Sequence, residues 1–84
     1  MPLDDVILDL TAARGPDKSI CPSDAARAFA GENWRKVLGE VRKAAVRLAL
    51  DGKLVITRKG KPVDPRDFKG VYRLKAPGPA ADDG

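Results

Sequence analysis

Eight cations are spaced so that they could grip a polyanion. Arg35, Lys36, Arg42, Lys43 and Arg47 lie along one segment, and Arg58, Lys59 and Lys61 gather around Gly60. Such a set can neutralise phosphates, and its arginines could also read guanine edges in a major groove. The rest of the chain offers little reactive chemistry. Histidine is absent and cysteine occurs once, at Cys21, so neither a Cys–His pair nor a disulfide within the chain can form. Cys21 precedes a helix start, a place for a reactive thiol, but with no histidine to pair with it a small, partly buried cysteine is the better reading. Asp4, Asp5 and Asp9 cluster, yet carboxylates suit a helix start and a metal would need more convergent ligands. Gly60-Lys61 lacks the earlier glycine of a phosphate-binding loop, and Pro62 stands where a magnesium-holding hydroxyl belongs. The expectation is a protein that is not an enzyme and uses no cofactor and no metal.

The charge is unevenly placed. The 84 residues carry a net +4. Residues 1–34 hold three cations against six acids, a net −3, and residues 35–75 hold thirteen cations against four acids, a net +9. That asymmetry suggests a polyanionic partner for the second half, although a basic face also serves solubility. With 43% apolar and 33% charged residues, the composition is that of a folded domain, and the length predicts a single one with a thin core. Two acids near the start oppose a secretory signal, and no apolar run is long enough to span a bilayer. A soluble, cytoplasmic protein away from membranes is expected.

The elements that must position these cations follow from periodicity. Leu3, Val6, Ile7, Leu10 and Ala13 predict a helix over 3–14, with Asp4 or Asp5 capping it and Gly15-Pro16 stopping it. Residues 18–21 suffice only for a bridge-length strand. Pro22 opens a short helix over 22–30, whose face is Ala25, Ala26 and Phe29. Asn33 caps a long helix over 33–51, with Trp34, Val37, Leu38, Val41, Ala45 and Leu48 as its apolar stripe. On that wheel Lys36, Lys43 and Arg47 lie opposite the stripe, and Arg35 and Arg42 flank it. Leu54–Thr57 and Val71–Leu74 alternate as strands, with a basic, proline-stiffened loop between them. Residues 76–84 have nothing to bury and are expected to be disordered.

A lone hairpin is marginal in water, so the two strands must dock on the helices. The order predicts an α+β winged helix-turn-helix domain over 1–75, with three helices and a C-terminal wing of two or three antiparallel strands. The long helix would enter the major groove of double-stranded DNA, and Arg58, Lys59 and Lys61 would reach flanking backbone. A protein–protein interaction module using the same surface is the alternative, since fold does not fix function. Glu40 lies within pairing distance of Lys36 and Lys43, which draws off part of the charge. Arg27 could meet phosphate or the acidic first helix. Trp34 could stack on a base but heads the apolar stripe, and Asp64 organises a turn. Gly39, on the exposed side, either admits a close-approaching partner or is an ordinary surface glycine.

The run ICPSDAARAFAGENWR, with the later VRLALDGKLVITRKGKPVDP and GVYRL, resembles a small bacterial winged-helix family of unknown function. The matching positions are Ile20, Cys21, Pro22, Ser23, Ala26 and Arg27, then Trp34-Arg35. They continue with Gly60, Val63, Asp64 and Pro65 in the wing, and with Gly70, Arg73 and Leu74 in the last strand. The resemblance covers about residues 5–75 and implies the fold but no activity. Relatives of this architecture that dimerise use extra helices, so a monomer or weak dimer is expected, with a role in transcription if DNA is bound.

Overall fold

The computed structural model describes residues 2–77. Helix α1 (Leu3–Arg14) begins after the extended Pro2, and Asp4 and Asp5 lie inside its first turn rather than at the cap. It buries Val6, Ile7 and Thr11, and the Thr11 hydroxyl donates to the Ile7 carbonyl at 3.0 Å, which satisfies a polar group inside the core. Helix α2 (Pro22–Ala30) starts with a proline, whose missing N–H costs nothing there. The Asp24 carboxylate turns back to accept the Cys21 amide at 3.0 Å. Ala25 and Ala26 are fully buried, so α2 packs closely on its neighbours. Phe29, expected on the same face, is 42% exposed.

The long third helix is shorter than its apolar stripe predicts. Gly31–Val37 is a 3-10 segment, broken at Asn33 (φ −90°, ψ 15°), and helix α3 runs only from Leu38 to Leu50. Trp34 and Val37, three apart, fit a 3-10 turn as well as an α-turn, so period alone does not separate them. Asn33 makes no side-chain cap. Helix α3 buries Val41, Ala44, Ala45 and Leu48.

Strands β1 (Val55–Arg58), β2 (Lys61–Pro62) and β3 (Arg73–Lys75) form an antiparallel sheet in the order β2-β1-β3. Ile56 faces Leu74 and Thr57 faces Arg73; β1 begins one residue later than expected and β3 two residues later. Ile20 bridges Leu74 on the outer side of β3, with amide–carbonyl bonds of 2.7 and 2.9 Å. The chain between α1 and α2 is thereby sewn to the sheet. Pro62 occupies the edge strand, where its missing donor breaks no interior ladder.

Ile7, Ile20, Ala26, Val41, Ala45, Leu48, Ile56 and Leu74 close one core between helices and sheet. The architecture is α+β. Phe68, from the loop expected to be pure wing, is also buried there. Val71, expected to begin a strand, is 84% exposed. Of residues 76–84, expected to be disordered, only Ala76 and Pro77 fall among the described residues. No helix of the described residues is long and apolar enough to cross a membrane.

Candidate nucleic-acid interface

The hairpin between β1 and β2 presents the clearest charged feature. Arg58 and Lys61 are paired across it, leaving Lys59 and Gly60 as a two-residue turn. Both have positive φ, 53° at Lys59 and 82° at Gly60, as a type I′ turn demands. Glycine adopts that region freely, whereas a lysine there costs about 1–2 kcal/mol. Lys59 and Lys61 are exposed at this tip. Arg58 does not join them: its Nε donates to the Val71 carbonyl at 3.1 Å. Its guanidinium lies where a side chain at Gly70 would collide, 3.0 Å from the place of a Cβ.

The cations of the α3 region divide by what holds them. Lys36 is exposed and among the described residues has no ion-pair partner. Glu40 pairs with Lys43 at 3.8 Å, an exposed contact worth little. Arg47 is bound to Asp4 of α1 at 2.5 Å, which raises the arginine's pKa further through that hydrogen bond and the carboxylate's charge. Arg35 lies over Trp34, 4.9 Å from the ring centroid, and Arg27 lies 4.5 Å from the same centroid. Trp34 is half-buried and packs against the core, as its place at the head of the apolar stripe suggested, and its ring also meets two guanidiniums.

Arg42 has another task. Its Nη2 donates to the Phe68 carbonyl at 2.8 Å, and its guanidinium lies 4.1 Å from the Phe68 ring centroid and 5.7 Å from that of Tyr72. The two rings meet edge-on at 5.1 Å. This cation therefore clamps the 63–72 loop to α3. Arg73 was absent from the sequence-derived set and plays a similar part. It donates to the Ser19 hydroxyl and carbonyl and to the Cys21 thiol, at 2.6, 3.1 and 2.9 Å. A lone aromatic at Phe68 inside an otherwise charged loop was the available signal for the first clamp; for the second, Arg73 and Cys21 both stood among the positions of the family resemblance, but nothing in the sequence paired them.

Among the described residues, no group of three or more His, Cys, Asp or Glu is placed to hold a metal. Asp64 organises its turn as expected, accepting the Arg66 amide at 2.9 Å. A family model described as a protein of unknown function (DUF3253) matches residues 1–77. The chain belongs to that family. The match takes in every described residue, from α1 through β3, so the whole arrangement is the family's domain. A search of the curated proteins finds no match. Membership in a family of unknown function fixes kinship and leaves the activity to be argued from the surface.

Proposed function

We propose that this is a winged-helix domain that binds double-stranded DNA through its backbone, using α3 and the β1–β2 hairpin. The topology supports that reading. A short bridge after the first helix pairs with the last strand, and the β1–β2 hairpin forms the opposite edge of the sheet. The observation that carries it is Lys59, a charged residue held at the hairpin tip in a conformation that disfavours it. The two-residue turn demands the backbone conformation, but not a lysine; what supports contact with an anion is that the residue placed there is an exposed cation beside a second one, Lys61. The cations that serve are Lys36, Lys43, Lys59 and Lys61, with Arg35 beside them. Arg42, Arg47 and Arg58 are held by internal partners and contribute field more than contact.

The test is a titration of labelled duplex at two salt concentrations. Each neutralised phosphate contributes about −0.9 to the log–log slope, so four contacts predict about a hundredfold loss of affinity between about 50 and 200 mM salt. An affinity insensitive to salt sinks the reading. No binding even at the lower salt sinks it too, and leaves a protein-interaction module on the same surface as the better account.

A further inference from the structure

We propose that Arg27 and Arg35, both laid on the ring of Trp34, form a site for a phosphodiester group of the duplex backbone at the turn from α2 into α3. The site rests on the DNA reading and adds a contact to it, since Arg27 lies on α2, apart from the cations of α3 and the hairpin. The two guanidinium carbons lie 4.5 and 4.9 Å from the same ring centroid. Both arginines are exposed, and among the described residues neither is in an ion pair. Arg27 therefore does not meet the acids of α1, and Glu32, in the same turn, pairs with neither arginine. Two like charges gathered about one ring repel each other, and no carboxylate relieves them.

What holds these guanidiniums leaves their donors unspent. Attraction to a ring uses the cation's charge and needs no hydrogen-bond acceptor. Arg42, Arg47, Arg58 and Arg73 each donate to an internal oxygen, whereas Arg27 and Arg35 make no such bond among the described residues. Trp34 is half-buried and packed against the core, so the support is rigid. Two planar forks are thus held in place and free to donate, as bidentate recognition of phosphate requires. Position selects a duplex backbone among polyanions. Lys36, exposed and unpaired, follows Arg35 directly and joins the site to the proposed face. In a helix-turn-helix the first helix crosses the DNA backbone while the second enters the groove, and Arg27 is the single cation of α2. A ring that already carries two guanidiniums offers less open face to an unstacked base, which favours the duplex over a single strand.

Trp34 is the only tryptophan, so its emission reads the site without a label. The probes, added to the full chain, are a short mixed-sequence duplex, one of its single strands, and poly-glutamate as a polyanion without phosphate. The duplex should change the Trp34 emission saturably and at the lowest concentration. Arg27→Ala, at an exposed helical position that suits alanine, should fold and lower the salt slope of duplex affinity by about 0.9. Adding Arg35→Ala should bring the loss to about 1.8. Arg27→Lys keeps the charge without the fork, and should bind more weakly than the parent with its slope nearly retained. An unchanged slope in the double variant, or a bound duplex that leaves Trp34 emission unaltered, overturns the site and leaves the DNA reading standing. A response to poly-glutamate or to the single strand at concentrations as low as the duplex overturns the duplex backbone as its ligand. A parent that binds no duplex overturns the site and the DNA reading together.

Discussion

The Arg42 guanidinium lies 4.1 Å from the Phe68 ring centroid and donates at 2.8 Å to the carbonyl of the same residue. One side chain thus grips both the backbone and the ring of a loop residue 26 positions away. The grip needs a flat, multi-donor cation, which lysine does not supply. Arg42→Lys should therefore cost about 1–2 kcal/mol in urea unfolding and speed amide exchange over residues 68–72, while leaving duplex affinity nearly unchanged. A lysine variant as stable as the parent but weaker on DNA would return Arg42 to the binding face.

Asp4 holds Arg47 through a contact that joins the acidic first helix to the basic half of the chain. Substituting Asp4→Asn removes one negative charge and frees a guanidinium on α3. Duplex affinity should rise, with the salt slope steeper by about 1 as one more phosphate is engaged. The pair is solvent-exposed, so the change in stability should be small. An unchanged slope would show that Arg47 lies away from the bound duplex.

Lys59 makes the hairpin tip a place where stability and binding oppose each other. Lys59→Gly relieves the positive-φ strain and should raise stability by up to about 1 kcal/mol. It should also reduce the salt slope by about 0.9, the loss of one phosphate contact. A variant that gains stability without losing affinity separates the strained turn from DNA and removes the observation on which the proposed function rests.

The limits of α1 and α2 were legible because Pro and Gly punctuate them: Pro2, Gly15, Pro22 and Gly31 stand at or beside the four ends. The third helix was overextended because one turn of apolar spacing at Trp34 and Val37 does not separate 3-10 from α geometry. The last strand was drawn two residues early. Val71 is a good β-former, but Gly70 (φ 82°) turns the chain, and the pairings of Leu74 with Ile20 and Ile56 set the register. The cations were identifiable by type and position, but not their partners. Arg42 meets Phe68 and Arg47 meets Asp4 across 26 and 43 residues, and such contacts exist only once the core has closed.

Tyr72 supplies a pH dependence that isolates the loop clamp. Burial pushes its phenol above the ordinary range, and the nearby positive charge of Arg42 pulls the other way to a smaller extent. The unfolded chain gives up this proton near pH 10, whereas the folded chain holds it to higher pH. The phenol's contribution is therefore fully present below about pH 10 and is lost as pH rises through the folded-state value, because the unfolded form ionises first. The chain has a single tyrosine, so tyrosinate absorbance reads the folded titration directly. Tyr72→Phe keeps the ring against Phe68 and should flatten the alkaline fall in urea midpoint relative to the parent. An equally steep fall in the variant would assign the alkaline loss to the lysines and leave the clamp's burial of Tyr72 without thermodynamic effect.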